Sequence, residues 1–319
     1  PLRLVGSEMC IRDRDIDAYA CCIAYAELLN HQGIQARAVS SAPLNFSVCA
    51  SVLGWKASLD DYQPGADDEF VLVDVSDYHH FDPVVVLDQV CEVIDHHPGF
   101  EIHWAQKLGA DADIRPIGAA ATLVFQRWER SGLLPQISRH SAALLATAIL
   151  DNTLNFTGKM TASLDIWAYE VLARRAGLTA DWPQRYFSEC QAAIEADLEV
   201  ALAADMKHMT ATRNLPQLIA QMTVWDAQGL LQRHHAAIEQ WLAAQGEDWL
   251  LNAISIRERK SYWLAEPSLS QQKLSLLLSL DWQGTQAVLG RAMQRKELVK
   301  LALAAAREDL SVRGKAVCC

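Results

Sequence analysis

Carboxylates and imidazoles sit in this sequence where the chain changes direction. Asp74 closes the apolar run FVLVD, and Asp95-His96-His97 close a second run, VCEVI. Asp15 and Asp17 stand just before a long apolar segment, and Asp151 ends another, SAALLATAIL. Oxygen and imidazole donors of this kind suit Mn, Co, Fe, Zn or Mg. The eight cysteines contain no C-x-x-C, which excludes a zinc ribbon and thioredoxin-type exchange. The chemistry open to such a set is metal-assisted attack on an electrophilic centre. Acidic ligands hold the dications, and the dications lower the pKa of bound water.

Donors spread over this much sequence must be gathered by the fold. Ala18–Asn30 (AYACCIAYAELLN) reads as a helix stopped at Gly33. Ala36–Ser40 reads as a short strand. Phe70–Val75 and Val90–Ile94 are continuous apolar runs of the kind found in parallel strands covered on both faces. Gly118–Arg130, Ser141–Leu150 and Thr161–Ala176 read as helices. Strands alternating with helices predict an α/β fold on a parallel sheet, whose ligands bind at the carboxyl ends of the strands. Asp15, Asp17, Asp74, His96, His97 and Asp151 then face one crevice. Past Pro183 the expected elements are a long connecting helix over Gln184–Lys207, a strand over Gln217–Trp225 and a helix over Leu230–Ala244. Strands over Trp249–Ile256 and Leu274–Leu280 and a closing helix over Gly284–Arg307 follow. The expected organisation is a metal-binding domain over 1–188, a helical linker over 189–200 and a smaller C-terminal α/β domain over 201–319.

Composition narrows the class. The 319 residues are 51% hydrophobic and 21% charged, and Gly and Pro number only 15 and 10, which excludes disordered and collagenous chains. A net charge of −11 disfavours sequence-independent binding to nucleic acid or anionic membrane, while leaving room for a local basic pocket. No apolar run reaches the roughly 18–20 residues that span a bilayer. The N-terminal PLRLVGSEMC lacks the apolar core of a signal peptide, so a cytoplasmic protein with reduced, mostly buried thiols is expected. A Walker loop is absent. The ten tryptophans read as core and interface anchors, Arg257-Glu258-Arg259-Lys260 as a solvated loop, and His234-His235 as surface residues without a carboxylate pattern nearby.

Taken in order, Asp15-Ile16-Asp17, Asp74, Asp95-His96-His97 and the Asp151 segment AILDNTLNF resemble the motifs of the DHH phosphoesterase superfamily. The likeness is greatest to family II (manganese-dependent) inorganic pyrophosphatases and the related exopolyphosphatases. Ile117–Leu123 (IGAAATL) resembles the stretch before that family's fourth motif. Asp205-Met206-Lys207 resembles its D-x-K, and Gln294-Arg295-Lys296 its basic S-R-K-K segment. The resemblance implies a DHH domain with flanking helices plus a substrate-binding C-terminal domain. It implies two divalent metals, Mn2+ or Co2+ before Mg2+, with Asp74 and Asp151 bridging them. Asp15 ligates the first metal, Asp17 and His96 the second, His97 faces the substrate, and Lys207, Arg295 and Lys296 clamp phosphate. The implied activity is hydrolysis of a phosphoanhydride, pyrophosphate or short polyphosphate, by a hydroxide shared between the metals. A homodimer follows from the resemblance alone.

Two departures qualify that picture. The family's first motif is H-x-x-P-D-x-D, whereas here Ile11 stands at the His position, Arg14 replaces the Pro, and Gly6 lies too far upstream of Asp15. Either the first metal site is degenerate, or SEMCIRDR is foreign sequence; the latter is expected, and sequencing the genomic locus decides. After Asp74 the pyrophosphatases carry His-Asn-Glu, while this chain has Val75-Ser76-Asp77, with His79 and His80 read as solvated loop residues. Two other readings stay open: a phosphodiesterase of short oligonucleotides or cyclic dinucleotides, against which the C-terminal half shows no G-G-G-H-type cluster, and a catalytically impaired metal- or phosphate-binding module.

Overall fold

The structure, a computed structural model, describes residues 3–6, 15–39, 43–55, 65–81, 85–209 and 214–316. Ile11 and Arg14 lie outside the described residues. Internal contacts separate the chain into two units, 1–186 and 187–319.

The first unit contains β1 (Arg3–Gly6), α1 (Ile16–His31), β2 (Ala36–Val39), α2 (Ala50–Leu53), β3 (Glu69–Val73), β4 (Val90–Asp95), α3 (Glu101–Leu108), β5 (Ala112–Ile114), α4 (Ala120–Arg130), α5 (Arg139–Asn152) and α6 (Ser163–Ala176). Helix α7 (Trp182–Ala196) crosses into the second unit. The five strands run parallel in the order β2-β1-β3-β4-β5. Strand β2 lies on one side of β1 and β3 on the other, so the winding reverses at β1. Such a reversal opens a crevice at the carboxyl ends of the neighbouring strands. Asp74 follows β3, Asp95 ends β4, and Asp15 opens the helix that follows β1.

Local composition explains this layering. Phe70, Val71, Leu72, Val73, Val93 and Ile94 are at most 1% exposed, as central parallel strands require when both faces are covered. One face packs against Trp104, Val39 and Val75. Helix α1 is buried along nearly its whole length, and its run of Ala and Cys lets α5 approach closely. Every residue of α5 from Ser141 to Leu150 is buried. A helix apolar all round belongs inside a domain, which is why neither shows an amphipathic stripe. In this unit the sequence-predicted helix ends fall within two residues of those observed.

The second unit contains α8 (Leu198–Ala204), β6 (Met206–His208), β7 (Leu218–Val224), α9 (Ala227–Gln245), β8 (Trp249–Ser255), β9 (Lys260–Ala265), α10 (Leu269–Leu278), β10 (Trp282–Gln283), β11 (Gln286–Leu289) and α11 (Arg295–Ala316). Its mixed sheet has the order β10-β11-β9-β8-β7-β6, with β7 and β8 parallel across the α9 connection. Trp263, Leu250 and Met293 lie at the centre of its core.

Several expectations are corrected here. The single helix over Gln184–Lys207 is two, α7 and α8, separated at Asp197, whose backbone leaves the helical region (φ −142°, ψ 67°). Lys207 sits not on a helix but on β6, opposite Ile219, because pairing with β7 outweighs the local Ala-rich propensity. Leu274–Leu280 belongs largely to α10, capped by Ser268, whose hydroxyl accepts from Gln271 N at 3.1 Å. A short apolar run cannot by itself separate strand from helix. The closing helix starts at Arg295 rather than Gly284, since Gln286–Leu289 pairs with β9 after a turn at Gly284 (φ 67°). Lys260 begins a strand rather than a loop. His234 and His235 do have carboxylates nearby: Glu195 Oε2 is 3.2 Å from His234 Nε2, and Glu239 Oε2 is 3.5 Å from His235 Nδ1.

Candidate metal centre

Asp15 ends α1 at its N-terminus: one carboxylate oxygen accepts from Asp17 N at 3.1 Å and Ala18 N at 3.0 Å. Two residues on, in the first turn, Asp17 is fully buried. Its two oxygens accept from Ala120 N and Ala121 N, each at 2.8 Å. Those amides open α4, whose N-cap residue Ala119 supplies no side-chain cap. Asp17 thus caps α4 from a distant helix, a favourable place for negative charge.

The β3 end is shaped by backbone conformation. Asp74 has φ +60°, a region few non-glycine residues adopt, and its N–H donates to Ile94 O at 2.8 Å, extending the ladder one residue past the strand. Trp104 Nε1 donates to Ser76 O at 2.7 Å and fixes the loop that follows. At the end of β4, Asp95 Oδ1 accepts from His96 N at 2.7 Å, His97 N at 3.1 Å and His97 Nδ1 at 2.8 Å. His96 Nδ1 lies 3.0 Å from Ile117 O. A carbonyl only accepts, so His96 carries its proton on Nδ1 and turns a basic Nε2 into the crevice. Nε2 stands 3.4 Å from Asp74 Oδ1 and 4.0 Å from Asp17 Oδ2, and His97 Nδ1 stands 3.8 Å from Asp74 Oδ1.

Asp151, in the last turn of α5, has Oδ1 3.0 Å from the Tyr186 hydroxyl, whose single proton is shared with Ser47 O at 2.9 Å. The charges of Asp15 and Asp17 both act on it. Beyond it Leu154, Asn155 and Phe156 all have positive φ (52°, 52° and 64°), three consecutive strained residues beside the cluster.

The electrostatics favour a cation. Burial, with the neighbouring Asp15 charge, pushes the Asp17 carboxyl up to about 7, despite the two α4 amides working against it. Burial and Asp15 likewise push Asp151 up to about 7, with Tyr186 opposing. Burial also raises Asp95, but the hydrogen bond and charge of His97 outweigh it and hold that carboxyl below its usual value. Donor atoms of Asp74, His96 and His97 lie within 4.8 Å of one another. A divalent metal fits this set: it would supply the positive charge that the crowded carboxylates otherwise obtain by taking up protons.

The first unit therefore gathers Asp15, Asp17, Asp74, His96, His97 and Asp151. In the second unit Arg295 Nη1 donates to Ile219 O at 3.1 Å and to Asp205 O, and Nη2 pairs with the Asp205 carboxylate. Its backbone N donates to Gln221 Oε1 at 2.6 Å. The D-x-K segment and the basic segment, far apart in sequence, thus meet at β6 and β7, with Arg295 held by Asp205 and followed by Lys296. His79 pairs with Asp77 at 2.8 Å on an exposed turn, and the His80 side chain lies outside those described.

Sequence reading missed three contributors: Asp95 as the group orienting the His97 ring, Tyr186 on Asp151, and Asp165. Asp165 is fully buried, with its oxygens accepting from Gly118 N at 3.1 Å, Ala162 N at 2.7 Å and Thr122 Oγ1 at 2.5 Å. It supplies only the acidic half of a capping box, because Ala162 at the N-cap has no side-chain acceptor, so no complete motif marks it; nothing in sequence marks Tyr186. A Cβ on Gly118 would lie 2.6 Å from Asp165 Oδ2 and 2.7 Å from Thr153 Cγ2. Gly118→Ala is therefore expected to lower stability by about 1–3 kcal/mol, read as a lower urea midpoint at unchanged m. Tyr186→Phe removes the donor to Asp151 and is expected to weaken Mn2+ binding by about 10-fold, measured by titration of metal-stripped protein.

No family model matches the chain. A Bacillus pumilus protein named as a probable manganese-dependent inorganic pyrophosphatase is 28% identical, over 92% of this chain and 96% of its own. The manganese-dependent inorganic pyrophosphatase of Bacillus subtilis is 25% identical, over 89% and 93%. A crystal structure of a Methanococcus jannaschii protein, named as a candidate family II inorganic pyrophosphatase, superposes with a TM-score of 0.65 at 19% identity, covering 92% of this chain and 95% of that one. At that identity the structural likeness is one of fold. Over nearly its whole length, then, the chain is similar in sequence to proteins named as manganese-dependent inorganic pyrophosphatases, and it shares the fold of the Methanococcus jannaschii protein.

Proposed function

We propose that this protein is a metal-dependent hydrolase of phosphoanhydrides, with inorganic pyrophosphate as substrate and Mn2+ as the favoured metal. The observation that carries the reading is the buried crevice where donors of Asp74, His96 and His97 approach within 4.8 Å, with Asp17 4.0 Å from His96. The pyrophosphatase names of the relatives supply the substrate. Asp15, Asp17, Asp74, His96 and Asp151 would hold the metal. Divalent metal, when bound, would supply an acidified water as nucleophile and positive charge against the phosphoryl oxygens.

The chain's own residues do the remaining work. Ile117 O keeps the His96 proton on Nδ1, and Asp95 orients His97, whose imidazole is assigned to the substrate side. Lys207, Arg295 and Lys296 are assigned to the phosphate oxygens as fixed cations that offset charge building up on the leaving group. Asp205 sets the guanidinium of Arg295 and engages part of its donor fork, so Arg295 acts with restricted geometry.

Metal-stripped protein reloaded with Mn2+ and offered pyrophosphate, polyphosphate and a cyclic dinucleotide tests the reading, with Asp151→Asn as control. Phosphate release from pyrophosphate, lost in Asp151→Asn, is the expected result. Turnover of the dinucleotide alone moves the protein to the phosphodiesterases. Metal binding without turnover of any substrate leaves a binding module.

A further inference from the structure

The Ile117–Ala121 segment touches both sides of the proposed metal centre. Its first residue accepts the proton of His96 Nδ1, and its last two amides hold the oxygens of Asp17. Between those contacts, at Gly118, the segment is tied down by one side chain from another helix. Asp165 Oδ2 accepts from Gly118 N at 3.1 Å and from Ala162 N at 2.7 Å, and Oδ1 accepts from Thr122 Oγ1 at 2.5 Å. One carboxylate thus joins the start of α6 to the loop and first turn of α4. The joint has no slack, since Gly118 has no room for a Cβ against Asp165 and Thr153. A fully buried acid held by three donors has no contact with solvent and serves the geometry of what it holds.

We infer that Asp165 is a positioning residue for the metal centre: through the Ile117–Ala121 segment it sets the tautomer and direction of His96 and the placement of the Asp17 carboxylate together. The inference rests on the proposed metal function for its consequence, though not for its geometry. Its chemistry is that of outer partners which fix first ligands and whose loss typically costs 10–100-fold in metal affinity.

Asparagine can reproduce the arrangement. Its oxygen replaces Oδ2 as acceptor for the two amides, while its NH2 replaces Oδ1 and donates to the Thr122 hydroxyl, which can accept. Alanine supplies neither. The test titrates metal-stripped full-length protein with Mn2+, following free Mn2+ by electron paramagnetic resonance. In parallel, 15N NMR of the metal-free protein reads the His96 tautomer. Asp165→Ala is expected to weaken Mn2+ binding by about 10–100-fold and to release His96 from the single Nδ1–H tautomer, with Asp165→Asn restoring both. Glu27→Gln serves as the control for general destabilisation, because Glu27 caps α5 through Ser138 and Ser141 and touches neither Asp17 nor His96. It is expected to lower the melting temperature without altering either readout. Should Asp165→Ala fail to fold, Gly118→Ala strains the same joint with Asp165 intact, and a loss of Mn2+ affinity of about tenfold is expected.

The inference is overturned if Asp165→Ala, or Gly118→Ala in its place, binds Mn2+ as the parent does and keeps the His96 tautomer. It is equally overturned if Glu27→Gln weakens binding as much, or if Asp165→Asn is no better than alanine. A parent protein that binds Mn2+ but leaves pyrophosphate intact refutes the proposed activity alone. One that binds no Mn2+ refutes the metal function, and the tautomer measurement still decides the role of Asp165.

Discussion

Asp74→Asn is expected to abolish Mn2+-dependent phosphate release while leaving the protein folded. Asparagine tolerates the φ of +60° at this position better than other residues, and the Asp74 N–H to Ile94 O bond does not involve the side chain. The substitution therefore removes a charge and a ligand oxygen without reshaping the backbone. Outer partners of a metal ligand already cost 10–100-fold, so loss of a ligand central to the cluster should lower kcat by at least about 10³-fold. Retention of roughly a tenth or more of parental turnover would remove Asp74 from the proposed centre.

The second large effect is a reversal of pH dependence by metal. Burial and Asp15 raise the Asp17 carboxyl from 3.8 to about 7. The folded chain then holds a proton that the unfolded chain releases above about pH 4. Between those values the folded state binds more protons, so metal-free stability falls as pH rises, by up to about 4 kcal/mol through Asp17. Asp151 acts in the same direction. Asp95 acts in the opposite one: His97 holds it below its ordinary value against the effect of burial, so its contribution is present above about pH 4 and lost below. Metal-free protein should therefore be most stable at mildly acidic pH. Mn2+ competes with protons for these carboxylates, so its stabilisation should grow with pH. Melting temperatures with saturating Mn2+ and with EDTA should diverge from about pH 5 to about pH 8. A constant gap would mean that the raised carboxylates are not where metal binds.

What the sequence made legible follows from how each element is stabilised. The buried strands β3 and β4 and the wholly apolar helices α1 and α5 announce themselves because burial on every side leaves no polar positions. Their ends carry Asp74, Asp95-His96-His97, Asp17 and Asp151, so most of the crevice could be named in advance. The second unit was harder because its local signals compete with pairing. An Ala-rich stretch gave up Lys207 to β6, the Leu-rich run of α10 suits either periodicity, and β11 is defined by its partner β9. Asp165, Tyr186 and the Ile117 carbonyl were hidden for another reason. Their roles depend on contacts such as Gly118 N to Asp165 and His96 to Ile117, made between segments far apart in the chain.

The central claim is that one buried carboxylate and imidazole crevice binds Mn2+ and hydrolyses pyrophosphate with it. The most direct measurement titrates metal-stripped protein with Mn2+ and follows bound metal and phosphate release on the same sample. The account predicts that turnover rises in step with occupancy, vanishes with EDTA, returns on adding Mn2+, and is absent in Asp74→Asn together with tight binding. Full occupancy without phosphate release, or equal release with and without metal, would contradict it.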